Sequence, residues 1–199
     1  MSYDKINATD KVEAVTKYNT MPEDSMSIHG TYHAVCYDAA GNIKWEDDIE
    51  NLVTTVGKNF TLDTTLGNTA GGAVVMGLKG TGTAVVADTQ ASHASWLEVG
   101  LANAPTYSGN RPTPSFSSAS AGSKATSSAV SFSMTSTGTV AGCFINIGGS
   151  ATKDNTTGTL FSAGDFSSSK SVVNGDTIAV TYTATLTYDG NRLGCKRLG

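Results

Sequence analysis

Residues 77 to 100, GLKGTGTAVVADTQASHASWLEVG, gather the side chains of this sequence most suited to chemistry. Gly77, Gly80 and Gly82 surround Lys79, and Asp88, His93 and Glu98 follow. A phosphate loop needs GxxxxGK[ST] between a strand and a helix, so that backbone N–H groups and a helix N-terminus converge on the anion. Here the terminal lysine is missing and no helical pattern follows, so the glycines read as turn positions where a strand ends. Asp88, His93 and Glu98 stand five apart, a spacing that suits neither a helix face nor a strand face. They read as turn formers or solvated groups rather than metal ligands.

The remaining candidates are fewer. His29 and His33 would form a ligand pair on a helix, but on a strand they lie about 13 Å apart and cannot share an ion. Neither a GxSxG serine nor a cysteine in a nucleophile context is present. Cys36, Cys143 and Cys195 are distant from one another and odd in number, which argues against a disulfide framework and a zinc knuckle; Cys36 and Cys143 read as small buried apolar residues. Glu46, Asp47, Asp48 and Glu50 alternate between the faces of a strand. Trp45 and Trp96 would make a sugar-stacking platform if exposed, but tryptophans in alternating strands read as core. No catalytic residue, cofactor or metal follows from these residues.

Composition narrows the classes further. The 199 residues carry 13 Lys+Arg against 17 Asp+Glu, a net of -4 that disfavours binding nucleic acid through its phosphates. Charged residues are only 15% of the chain, so solubility rests on Ser, Thr, Asn and Gly. No signal peptide or membrane-spanning run is evident, and synthesis in a cytoplasm, without membrane partners, is the expectation.

The elements that must position these residues are mostly strands. DTIAVTYTATLTY (176–188) alternates Ile178, Val180, Tyr182, Ala184, Leu186 and Tyr188 with threonines, the pattern of a half-buried antiparallel strand. IHGTYHAVCYD and NIKWEDDI flank Ala39-Ala40-Gly41 and read as a hairpin with Ile43, Trp45 and Ile49 on one face. AVSFSMTS runs through Thr137-Gly138-Thr139 into VAGCFINIG, and this pair reads as a second hairpin. In VAGCFINIG, Val140 and Phe144 fall on one face and Cys143, Ile145 and Ile147 on the other, so the strand is expected to be covered on both sides. Short strands are expected at 73–79, 96–101, 112–117, 158–162 and 169–173. NLVTTVGKNFTLDTTLG (51–67) reads as the one helix, capped by Asn51 and weakened by Gly57. The fold class is therefore all-β: an antiparallel β-sandwich with one short helix and extended N- and C-terminal segments.

Taken together, GNIKWEDDIENLVTTVG (41–57), GLKGTGTAVVADTQASHASWLEV (77–99), Arg111-Pro112 and GTLFSAGDFSSSKSVVNGDTIAVTYTATL (158–186) resemble a family of head decoration, or cement, proteins of tailed bacteriophages. The resemblance spans roughly residues 28 to 187. It implies a jelly-roll-like sandwich without catalytic residues, bound to the outer face of a virion capsid after synthesis in the host bacterial cytoplasm. The implied partners are the major capsid protein and further copies of the chain, as dimer or trimer. It also implies that GLKGTGT closes a strand and ADTQASHASW is a loop leading to the next. The alternative is a receptor- or carbohydrate-binding module of a phage tail or fibre.

Three regions follow: an N-terminal arm (1–27), the sandwich (28–188) and a basic tail (189–199). The arm has isolated apolar residues, and after Asp189 the tail has cations without acids. Ile6, Val15, Tyr18, Arg192, Lys196 and Arg197 are thus the expected capsid or subunit contacts.

Overall fold

Alternation builds the first sheet. In the strand read over 176–188, Ile178, Val180 and Tyr182 are buried on one face while threonines stand on the other. Each such buried side chain contributes about 1.5–3 kcal/mol relative to exposure. A computed structural model describes residues 25–67 and 69–189 as two antiparallel sheets packed face to face.

The first sheet contains β1 (Ser25–Tyr37), β2 (Ile43–Glu50), β6 (Ser123–Ala125), β7 (Val130–Ser133) and β10 (Thr177–Asp189). Its order is β2-β1-β10, with β6 and β7 following one another along the far side of β10. The second sheet runs β3 (Leu52–Val53), β9 (Thr159–Val172), β8 (Gly138–Ile147), β4 (Val74–Lys79) and β5 (Glu98–Val99). The core between them is built on Tyr32, Cys36, Leu78, Phe132, Cys143, Ile145, Ile178 and Val180. Among the described residues no helix is long and apolar enough to cross a membrane.

The β1–β2 hairpin forms as expected. The Asp38 carboxylate accepts from the backbone N–H groups of Ala40 and Asn42 at 2.9 and 2.8 Å, and Gly41 takes φ +87, a conformation that favours glycine. On the predicted inner face Ile49 is buried and Trp45 half-buried, but Ile43 is exposed at the end of the sheet. β1 starts at Ser25, inside the expected arm, because Met26 and Ile28 continue the register with Tyr188 and Leu186.

Several expectations are corrected. The second predicted hairpin does not exist: β7 pairs with β10, with Phe132 opposite Ile178 and Val130 opposite Val180, whereas β8 pairs with β9 and β4 in the other sheet. The chain crosses between sheets after Met134. In this crossing Gly138 packs closely on the Pro105 ring, where a Cβ would stand at 3.0 Å. A register shift between Val140 and Gly142 turns Val140 to the inter-sheet core with Cys143, leaving Phe144 on the opposite face. β8 is nonetheless covered on both sides, as expected.

Residues 112–117 form no strand; within them only Phe116 makes an isolated bridge, to Thr126. The two segments at 158–162 and 169–173 belong to one long strand, β9. The helix α1 (Thr55–Thr65) starts later than predicted. Leu52–Val53 pairs with β9, and the cap is Thr54, whose Oγ1 accepts from Gly57 N at 3.0 Å and donates to Leu160 O. Gly57 is what lets α1 lie on β9, since a Cβ there would stand 2.3 Å from Phe161 O.

Candidate functional site

The loop between β4 and β5 holds the residues first suspected of chemistry, and GLKGTGT does close a strand. Of the residues expected to be turn formers or solvated, Asp88 does close a turn with Val85, but it and Glu98 are buried, and Lys79 is buried beside them. Lys79, fully buried, donates from Nζ to Gly80 O, to Gly82 O and to the Asp165 carboxylate, whose other oxygen accepts from Ala84 N at 3.1 Å. Gly82 (φ +106) presses against Ser95 O, where a side chain has no room. Asp88 is buried and its Oδ2 accepts from Trp96 Nε1 and Val85 N, each at 2.9 Å. His93 stacks on the Trp96 ring at 4.0 Å, with its Nδ1 2.9 Å from Trp96 O. The indole itself packs on Phe144, which is how this loop covers the outer face of β8.

Glu98 is likewise buried. Its carboxylate receives Arg111 Nε at 2.8 Å and Nη2 at 2.5 Å, a bidentate pair, and accepts from Asp154 N at 3.0 Å. Arg111 places further donors on Ser150 O and Asn155 O, so each guanidinium nitrogen has a hydrogen-bond partner. Lys153 donates to Tyr107 O at 2.7 Å, and burial lowers its pKa. These pairs tie the loops around 80–111 and 150–157 to one another. Between those loops lies an open cleft of about 540 Å³, lined by Gln90, His93, Asn103, Asp154 and Asn155.

Elsewhere the ionisable groups are spread along strands. His33 Nδ1 lies 2.8 Å from Asp48 Oδ1, with Glu46 at 3.6 Å; His29 lies opposite Thr185 on the same strand. Asp47 faces the other way. Burial opposes its charge, yet bonds from Lys170 and Ser167 hold its carboxyl below the usual range. Desolvation pushes the Cys143 thiol up to about 12 and that of Cys36 to about 11, so both are poor nucleophiles. Among the described residues no three His, Cys, Asp or Glu side chains are grouped to hold a metal ion. Trp96 is core, as the alternation implied; Trp45 packs edge-on against Phe166 and donates to Ser171 O.

A second region is different. Where β1 begins and β10 ends, Met26, Leu186 and Tyr188 are exposed, and Leu62 and Leu66 of α1 are exposed close in sequence to Thr61, which lines the grooves beside them. The alternation put Leu186 and Tyr188 on the buried face of the last strand, and the structure corrects this: both are exposed, as are Met26, Leu62 and Leu66, which no sequence pattern singled out. Ile6, Val15, Tyr18, Arg192, Lys196 and Arg197 lie outside the described residues.

Comparison of the chain with family models, curated proteins and solved structures finds no match.

Proposed function

We propose that the protein is a noncatalytic virion structural protein that decorates and stabilises the outer surface of a bacteriophage capsid. The single observation that supports this reading most is the exposed apolar stripe of Met26, Leu186 and Tyr188, at the end of the sandwich where the chain enters β1 and leaves β10. Apolar surface of this kind, continuous with two chain extensions, suits attachment to a neighbouring protein shell. The buried charges around the β4–β5 loop are engaged in holding loops together, which suits a structural role.

In this reading the major capsid protein is the principal partner, the arm and the basic tail supply contacts to the shell or to adjacent copies, and the location is the outer face of the virion. A shell is strengthened by apolar contacts and strand pairing spread over its seams, with no chemistry required. The receptor- or glycan-binding alternative draws support from the polar cleft beside His93, but Trp96 lies beneath that histidine and offers no open stacking face.

The test is sedimentation of the purified chain with capsids of the parent phage assembled without it, followed by cryo-electron microscopy. Saturable occupancy of symmetric outer sites is expected. Failure to bind capsids, together with binding to host cells or glycans, overturns the reading.

A further inference from the structure

One ladder row of the second sheet brings an amine and a carboxylate together over a residue that has no side chain. Lys79 of β4 pairs with Gly142 of β8, which pairs in turn with Asp165 of β9. The lysine stem crosses β8 above Gly142, where a Cβ would stand 3.0 Å from Lys79 Cδ. Its Nζ ends on Asp165 Oδ1 and on the carbonyl oxygens of Gly80 and Gly82. The centre of the Trp96 ring lies 5.7 Å from Nζ. Three lysine–carboxylate pairs occur among the described residues, and in only this one is the amine withdrawn from solvent. The side chain of Lys79 is 0% exposed, against 16% for Lys170 and 29% for Lys44. The Asp165 side chain is 33% exposed, so the carboxyl keeps a path to water.

We propose that Lys79 and Asp165 condense, without an enzyme or cofactor, into an intramolecular isopeptide bond between Nζ and Cγ. A nitrogen hydrogen-bonded to a carboxylate oxygen lies about 3–3.5 Å from the carboxyl carbon, within near-attack range. Two backbone carbonyls and the enclosed stem fix the nitrogen there. Asp165 Oδ2 already accepts from Ala84 N at 3.1 Å, a donor placed where negative charge develops as the carbon becomes tetrahedral. Glu98, the neighbour of Lys79 on β5, is committed to Arg111, so Asp165 itself carries the protons.

The step balances within the pair. One proton passes from the Lys79 ammonium to Asp165 Oδ1, leaving an amine and a carboxylic acid. The nitrogen lone pair attacks Cγ and forms the C–N bond, while the C=O electron pair moves onto Oδ2. A second proton follows from nitrogen to Oδ1. The electron pair on Oδ2 then restores the C=O bond, and Oδ1 leaves as water. The third hydrogen stays on the amide nitrogen, with Gly82 O beside it as acceptor. Nothing is oxidised or reduced. The buried ammonium carries a desolvation cost that the neutral amide does not. The bond ties β4 to β9 across β8 and links positions 86 residues apart, restricting the unfolded chain as a disulfide would, in a protein whose described cysteines are both free.

The reaction needs only the folded chain, so its outcome is separable from failure to bind capsids. The full chain is purified, unfolded in denaturant and measured by intact-mass spectrometry. Most molecules should be lighter than the sequence by one water. Trypsin should then yield a branched peptide in which Lys79, left uncleaved, carries residues 154–170. Lys79→Arg keeps a cation but supplies no amine, and Asp165→Ala removes the acceptor, so both should return to the full sequence mass. The branched peptide is read in the parent chain, so the test stands even where a variant fails to fold. A folded parent chain at its full mass, a water deficit that persists in Lys79→Arg, or a deficit mapped to any other pair of residues would each overturn the proposal.

Discussion

Two regions of this sandwich reverse the usual division between surface and interior. At the β4–β5 loop, the loop end, Lys79, Asp88, Glu98 and Arg111 are buried, whereas around α1 and the last residues of β10, the helix end, Leu62, Leu66 and Leu186 stand in solvent. The difference shows that side-chain polarity alone does not set position. A charge can go inside when each of its nitrogens finds a partner, as at Arg111, and a leucine can stay outside when it lies beyond the packed core. The first end spends its polar groups on its own fold; the second keeps apolar surface that the fold does not use.

That contrast can be broken in a graded series. The largest effect is expected between the sheets, independent of either end. Val180→Asp should abolish folding, seen as loss of the β-sheet circular dichroism signal, while Thr181→Asp on the hydroxyl face leaves the protein folded. Equal effects from both would mean that the facing of β10 is misassigned. Next, Glu98→Ala leaves the buried Arg111 guanidinium without its carboxylate and should cost about 3–5 kcal/mol in urea unfolding. A cost below about 1 kcal/mol would show that the loop end is solvated in solution.

A smaller effect tests the seam between β2 and β9. Asp47→Asn should cost about 1–2 kcal/mol at neutral pH, since it weakens bonds from Lys170 and Ser167 to a carboxylate that is almost buried. The folded carboxyl titrates below its unfolded range, so its stabilisation is present above the unfolded pKa, near 3.9, and is lost as pH falls through the lowered folded value. The difference between parent and variant should therefore shrink below about pH 4; a constant difference would count against the ion pair. Smallest of all, Leu66→Ser at the helix end should change stability by less than about 0.5 kcal/mol. Together with the Glu98 result, this would make an acid matter more to folding than a leucine.

Sequence pattern reached the local elements better than the long-range ones. The strands β1, β2 and β10 were legible because each buries one face, and a period of two records that directly. The error at Thr137-Gly138-Thr139 came from turn chemistry, which says that a chain bends and not which sheet it enters next. Val140 was assigned to the wrong face because a bulge leaves no mark in residue type, and the helix start was missed because Leu52–Val53 owe their strand to β9. The candidate site was less legible still. Glu98 and Arg111 are thirteen positions apart with Pro105 between them, and only the assembled loops make them partners.

One detail of the seam between the sheets bears on how copies of this protein behave at high concentration. Beyond the short β3 ladder, β9 presents backbone groups at the flank of its sheet, and side chains from β2 engage them: Asp47 accepts from Ser167 N, and Trp45 Nε1 donates to Ser171 O. Those groups are thus already occupied when molecules collide. With two of its backbone groups engaged in this way, that flank is a poorer template for the addition of a strand from another molecule.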